Sequence, residues 1–362
     1  MKGALTVESA HPLFTIAIQP DAVKTRRGGR QSFSARWIER LDDAGHRAVP
    51  VDVLVPGFLE RLGEFDGFMW AFPPTPFPRD IAKRVMAAIE HAADLPVFPD
   101  RATCWHFDDK VAQSYLLEGA GIPTPRTWVF WRYAAAQEFC RTARYPLVIK
   151  LGAGCYSENV ALVRNQREAE EWTRQLFTTG LTDLSRRGLS GAGALMRAAR
   201  SGARALLGRP EIERHRGYVL LQELVPGNDF DTRVTVIGNR AFAFRRHNRP
   251  DDFRASGSGL VDHDPAQVDR GAVALAFRVA RLFGTQVVCV DVLRRGEELV
   301  ITEISYYFET WGIAECPGHW RAGRDDGNFA WIEGPIRPED AILDDFLDRV
   351  AGRSGARAGA TV

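Results

Sequence analysis

The chain has 362 residues, room for two or three domains at about 100–200 residues each. Its 47 Lys+Arg against 46 Asp+Glu leave a net charge of +1, which excludes a nucleic-acid binder working by bulk charge. With 45% hydrophobic and 26% charged residues it has the make-up of an ordinary globular protein, and at this size it needs no covalent staple. Phe14 to Gln19 reads as a first short strand, followed by a polar loop and an amphipathic helix from about Gln31 to Ala44 that Gly45 ends. Val49 to Val55 and Phe65 to Phe72 read as strands, the latter stopped by Pro73-Pro74. A helix over Ile81 to Ala93 and a strand from Val97-Phe98 complete a small open α/β unit, about residues 1–105.

Asp108 or Asp109 starts the next helix, where a carboxylate suits the first turn. Past Pro123 and Pro125 the pattern is strand Thr127 to Trp131, helix Ala134 to Ala143 and strand Tyr145 to Lys150. A glycine-containing loop, Leu151 to Asn159, then leads into strand Val160 to Val163, the pattern of a lid over a ligand. Residues 174–216 are dense in arginine, and 180–215 read as an insertion. It is either a solvated face or a contact surface for an anionic substrate, polymer or membrane. Tyr218 to Val225 is the next strand, closing a unit at about 106–225. Asp231 to Ile237 and Arg240 to His247 form a hairpin about Gly238-Asn239. A helix from Val268 to Phe283, a second hairpin of Val287 to Leu293 with Leu299 to Ile304, and a last helix from Glu339 to Val350 complete a unit at 226–350. Residues 351–362 read as a flexible tail.

The N-terminal stretch carries Glu8 and His11 where a signal peptide needs an apolar core, and no apolar run approaches the roughly 18 residues of a membrane span. Cys104, Cys140, Cys155, Cys289 and Cys316 are scattered without a CxxC pair, so a reducing, cytoplasmic setting is expected.

Several residue types carry chemistry. Asp291 and Glu303 lie in apolar strands of the second hairpin, where carboxylates are costly unless paired with cations or a metal. With the Ser305 hydroxyl they make an oxygen set suited to Mg²⁺, or else a pair of edge-strand surface acids. Lys110, near a helix start, and Lys150, at a strand end, are placed to meet phosphate oxygens or to be surface lysines. Arg245, Arg246, Arg249 and Arg254 run into the Ser/Gly segment ASGSG, which suits phosphate or carboxylate binding or a salt-bridged loop. Arg26, Arg27 and Arg30 follow the first strand, where α/β units bind ligands. They grip an anionic substrate or form an exposed basic loop. The aromatic segment Tyr306 to Trp320 suits a ring-bearing ligand or core packing.

Taken in order, FDDKVAQSYLLEGAGIPTP, YPLVIKLGAGCYSENV, YVLLQELVPGNDFDTRVTVIG, AFRRHNRPDDFRASGSG, VVCVDVL and VITEIS resemble the ATP-grasp superfamily, in its RimK-like and D-alanine–D-alanine ligase-like branch. The resemblance covers roughly residues 100–310. It implies an ATP-grasp fold, two α+β domains clamping ATP, behind a Rossmann-like domain. It implies ATP and one or two Mg²⁺ ions as cofactors, and small-molecule carboxylate and amine substrates joined through an acyl-phosphate. A small-molecule kinase, or an ATP-binding protein without turnover, are the alternatives on the same fold.

Carried over residue by residue, Lys110 and Lys150 match the lysines that hold ATP. Residues 152–158, with Gly152, Gly154 and Ser157, match the flap over the phosphates. Gln222, Glu223, Leu224 and Val225 match the hinge that meets adenine, and Asp231 matches the acid near the ribose. Arg245 and Arg254 match the cations beside the transferred phosphate, and Asp291 and Glu303 match metal ligands. Where the family has asparagine this chain has Ser305, a shorter and weaker ligand, which leaves the second metal open.

Overall fold

The computed structural model describes residues 14–25, 27–93, 95–154, 159–184, 213–250, 252–323 and 328–359. Its first unit is a parallel sheet in the order β4-β1-β5-β6, from β1 (Thr15–Ile18), β4 (Arg47–Pro50), β5 (Gly67–Met69) and β6 (Val97–Phe98). Two residues each of β2 (Val23–Lys24) and β3 (Arg30–Gln31) form a separate antiparallel hairpin. Helix α1 (Phe33–Asp43) starts where the Ser32 hydroxyl accepts the Ala35 N–H. It buries Phe33, Trp37 and Leu41 on one stripe. Helix α2 (Pro76–Ala92) begins earlier than its apolar spacing suggests, because Pro76 occupies a first-turn position that needs no N–H. The expected strand over 49–55 ends at Pro50. There the Val53 N–H turns to Gln19 Oε1 and the Asp52 carboxylate caps Leu54 in a side-chain turn.

Helix α3 (Arg101–Cys104) leads to α4 (Lys110–Gly119), whose N-terminus is capped by Asp109 accepting from Val111 and Ala112. The second sheet is antiparallel in the order β7-β10-β8-β9, from β7 (Thr127–Phe130), β8 (Leu147–Lys150), β9 (Val160–Val163) and β10 (Val219–Glu223). Helices α5 (Tyr133–Thr142) and α6 (Gln166–Phe177) cover one face through Ala136, Cys140, Ala169, Trp172 and Leu176. Sequence reading missed α6. Its exposed arginines hide an amphipathic stripe that Asn165 caps.

The third sheet has the path β15-β14-β11-β12-β16-β17, with β13 (Val261–Asp262) beside β12. Its strands are β11 (Phe230–Ile237), β12 (Arg240–His247), β14 (Val287–Arg295), β15 (Glu298–Ser305), β16 (Gly318–Ala322) and β17 (Phe329–Glu333). The turn at Gly238-Asn239 has Gly238 at φ 56°, so the two-residue loop fixes the register of the β11–β12 ladder. Alternation then divides the sheet. Val234, Val236, Val288 and Val290 pack under α7 (Arg270–Phe283), and the intervening residues face the other way. At one end that second face is apolar, and Ile237, Phe242, Phe244 and Cys289 join the core of the first unit. At the other end it carries charge.

The aromatic segment contains the short helix α8 (Trp311–Ala314) and β16, which pairs with β17 through Trp320 against Trp331. Helix α9 (Pro338–Gly359) returns to the first unit, burying Ile342, Phe346 and Val350 there, while the Trp37 indole donates to the Glu339 carbonyl. It runs beyond Val350 into the stretch expected to be a tail, since no proline interrupts it. Among the described residues no helix is long and apolar enough to cross a membrane.

Candidate functional site

The site forms where the start of α4, the loop after β8 and the charged half of the third sheet meet. Lys110, only 6% exposed, donates through Nζ to the Gly154 carbonyl at 2.8 Å and lies 3.4 Å from Glu303 Oε1. Its backbone N–H donates to the Gly152 carbonyl at 2.7 Å. Gly152 in turn donates to the Tyr218 hydroxyl at 2.6 Å. Gly154 has φ 127°, and a Cβ there would run into the Asn159 amide, so this loop needs glycine on both counts. The Lys150 ammonium donates to the Thr302 carbonyl at 3.1 Å. Burial brings Lys150 down to about 8, with Lys110 nearby adding to the fall and Glu303 opposing it. Both lysines line a small cavity with Gln222, Thr127, Leu220, Ile301 and Thr302.

A second, larger cavity of about 510 Å³ adjoins this region, and Gly154, Glu303 and Ser305 lie on its wall. That volume is in the range of small-molecule sites. The first unit contributes Lys24, Arg27 and Thr75. The third sheet contributes Arg233, Thr235 and Arg246, and the Ser/Gly loop contributes residues 255–259. In register across β12, β11, β14 and β15, Arg246 opposes Asp231, Arg233 opposes Asp291, and Asp291 opposes Glu303. Arg233 grips Asp291 in a two-pronged pair at 2.8 and 2.9 Å. Arg246 grips Asp231 at 2.7 and 2.6 Å and also reaches Asp291 Oδ2 at 2.8 Å. Burial pushes Asp231 up, and the neighbouring Asp291 charge adds to that. Burial would also raise Asp291, but Arg233 and Arg246 together hold it well below the usual carboxylate range.

This geometry corrects several expectations. Arg245 points away from the cavity, over the Phe230 ring and onto Gln267, because it sits one residue out of phase with Arg246. Arg246 and Arg233 are the third-sheet arginines on the cavity wall, which Arg27 of the first unit also lines. The hairpin register pairs Asp231 with Arg246, and both Asp231 oxygens accept from that guanidinium. Arg254 is held two-pronged by Asp252 and reaches the Val160 carbonyl, which ties the Ser/Gly loop to β9. Of the hinge residues, Gln222 donates to Thr127 Oγ1 and faces the lysine cavity. Glu223 pairs with Arg295 at 3.2 Å, while Leu224 and the buried Val225 follow the end of β10. Arg27 lies over the Trp311 ring and pairs with Glu315, whereas Arg30 is exposed on the β2–β3 hairpin and lines neither cavity. Arg26, Ser157 and most of the insertion at 180–215 lie outside the described residues.

The expected metal set fits Mg²⁺ only in part. Glu303 offers a hard oxygen donor at the cavity wall. Both Asp291 oxygens are engaged by guanidinium groups, and the Ser305 hydroxyl donates to the Tyr307 carbonyl while accepting its N–H. Among the described residues no group of three or more His, Cys, Asp or Glu side chains forms a metal cluster. Sequence reading places Asp108 at a helix start and does not single out Arg79 or Arg233. The signal for Arg233 was present as the alternation Asp231–Arg233 facing Asp291, once the hairpin register is counted.

Residues 186–315 match the RimK-like ATP-grasp domain family, a span that includes Arg233, Arg246, Asp291 and Glu303 but neither lysine. The α-aminoadipate–LysW ligase LysX of Saccharolobus solfataricus is 21% identical over 198 residues, 54% of this chain and 60% of the relative, so the match leaves a good part of that ligase uncovered. D-alanine–D-alanine ligase from Bacillus anthracis, solved with ATP, superposes with a TM-score of 0.51 at 12% identity, covering 95% of this chain and 99% of that one. N5-carboxyaminoimidazole ribonucleotide synthetase from Thermotoga maritima gives 0.50 at 14% identity, over 81% and 68%. The chain has the ATP-grasp fold behind an N-terminal parallel-sheet unit, and its residues 186–315 are similar to the RimK-like ATP-grasp domain.

Proposed function

We propose that this chain is an ATP- and Mg²⁺-dependent carboxylate–amine ligase working through an acyl-phosphate. One observation carries the reading. Lys110, the Gly154 loop and Glu303 adjoin a cavity that Arg233 and Arg246 wall on one side and the N-terminal unit walls on another. In this reading Lys110 and Lys150 bind nucleotide phosphates as point charges, and Gly152 and Gly154 let the backbone approach them closely. Glu303 would hold Mg²⁺, which neutralises phosphate charge when bound.

A substrate carboxylate oxygen attacks the γ-phosphorus, and the bond to the ADP oxygen breaks. Arg233 and Arg246 face the position where negative charge builds, and Asp231 and Asp291 hold their guanidinium groups in place beforehand. The amine nitrogen then attacks the acyl carbon, inorganic phosphate leaves, and the nitrogen loses a proton. Walls from the first unit, the Ser/Gly loop and the third sheet limit access of water to the acyl-phosphate. The substrates in this reading are small molecules, with residues 24 and 27 on the acceptor side. The setting is cytoplasmic, in keeping with Cys104, Cys140, Cys289 and Cys316 as buried free thiols.

The test is release of ADP and free phosphate from Mg²⁺-ATP by the purified protein supplied with pooled metabolites. Equal release that depends on the pool, and that Glu303→Ala abolishes, supports the ligase. ADP without matching phosphate means transfer to an alcohol or similar acceptor and replaces the ligase with a kinase.

A further inference from the structure

The guanidinium of Arg79, on α2 of the first unit, is buried and surrounded by carboxylates from three parts of the chain. Nη1 donates to Asp108 Oδ2 at 2.8 Å, and Nη2 donates to Glu213 Oε2 at 2.5 Å and to Asp80 Oδ1 at 3.2 Å. Asp108 is equally buried, and among the described residues it is the single non-glycine with a positive φ, 50°. Its other oxygen, Oδ1, accepts the Gly154 N–H at 2.8 Å. Gly154 is thus held at both polar ends of its backbone: the N–H by Asp108, the carbonyl by the Lys110 ammonium. The chain of contacts runs from the N-terminal unit to the glycine loop without a break.

We propose that Arg79 is a positioning residue that, through Asp108, fixes the Gly154 peptide for nucleotide binding, so that the grip on phosphate depends on the docked N-terminal unit. The inference rests on the ATP reading above. The left-handed backbone at Asp108 supports it, since such conformations cost energy and persist where surrounding contacts hold them. A carboxylate shared between a buried arginine and a loop N–H fixes both direction and distance, which a surface pair does not.

The experiment measures binding of the non-hydrolysable analogue AMP-PNP with Mg²⁺ by calorimetry, for the wild type, Arg79→Met, Asp108→Asn and the double variant, with melting temperatures alongside. Asparagine tolerates the positive φ and keeps an oxygen for Gly154, but turns an amide donor toward Arg79. Each single change is expected to weaken binding about tenfold, and the double variant no more than either single, because both break one path. Arg79→Lys should recover part of the loss, and with Asp108→Asn it carries the test if Arg79→Met does not fold. Singles that bind like wild type, with only a lower melting temperature, overturn the proposal and leave the ATP reading standing. Losses that multiply in the double variant also overturn it. A wild type that does not bind AMP-PNP overturns the ATP reading, and this inference with it.

Discussion

Lys150→Met should make the unliganded protein more stable while it weakens nucleotide binding. Lys150 is 8% exposed, and burial brings its pKa from 10.5 to about 8. That drop corresponds to about 3 kcal/mol by which the charged form is disfavoured in the folded chain at neutral pH. Methionine keeps most of the apolar stem and removes the charge. Against the gain stands the Thr302 carbonyl, which loses its 3.1 Å donor, a cost of about 1 kcal/mol. The net gain is about 1–2 kcal/mol, or a few degrees in melting temperature for a chain of this size.

The pH dependence gives the reasoning an internal control. With the folded pKa below the unfolded one, the unfolded state holds more protons between about pH 8 and 10.5, so wild-type stability rises across that window. The advantage of the methionine variant should therefore be full below pH 8 and vanish by about pH 10.5. Scanning calorimetry without nucleotide from pH 7 to 10 measures it. A variant less stable than wild type at pH 7, or a gap that does not change with pH, would refute the reasoning.

Other substitutions probe the remaining parts. Arg246→Met should abolish ADP release and cost about 3–5 kcal/mol in urea denaturation, because Asp231 is left buried without its cation, whereas Arg245→Met should leave turnover within about twofold. Asp291→Asn should cost about 3 kcal/mol at pH 7. Asp291 titrates below its unfolded value, so its contribution is complete above about pH 4 and fades as pH falls below that; the variant's acid-unfolding limb should be flatter there. Gly154→Ala should weaken AMP-PNP binding by more than tenfold, read by calorimetry, since both φ 127° and the Asn159 amide oppose a methyl group.

Much of the fold was legible because the signals were local. Asp109 before α4, Gly45 after α1 and the turn at Gly238-Asn239 are short-range features, and the elements they bound lie close to where the sequence places them. Misses came where a distant partner decides. The chain leaves the strand direction after Pro50 because Gln19, on another segment, takes the Val53 N–H. β16 forms because β12 and β17 pair with its two edges. The lysines and Glu303 were legible one at a time, and Arg233 was not, because its role depends on a cross-strand partner. The same hairpin that was recognised from its turn already set the register, and counting outward from Ile237 opposite Arg240 places Asp231 opposite Arg246 and leaves Arg245 on the other face. Arg245 and Arg246 differ by one residue of phase, and Arg246 is the one of the two that lines the cavity.

That phase also explains how a charged cleft is tolerated in a strand face that elsewhere packs as core. Two aspartates and two arginines cancel one another in register across three adjacent strands, so Arg233 and Arg246 present donors to the cavity without burying net charge. Neutral in sum, this cluster gives direction but little long-range field. Beside it Lys110 and Lys150 face Glu303, and the low pKa that burial gives Lys150 marks the cost of keeping its charge there. An anionic ligand would relieve that cost, and a cation alone would add to it. If the proposed ATP reading holds, AMP-PNP affinity measured by calorimetry should fall as pH rises through about 8 and Lys150 loses its proton, and an affinity flat across that range would refute the placement of Lys150 against phosphate.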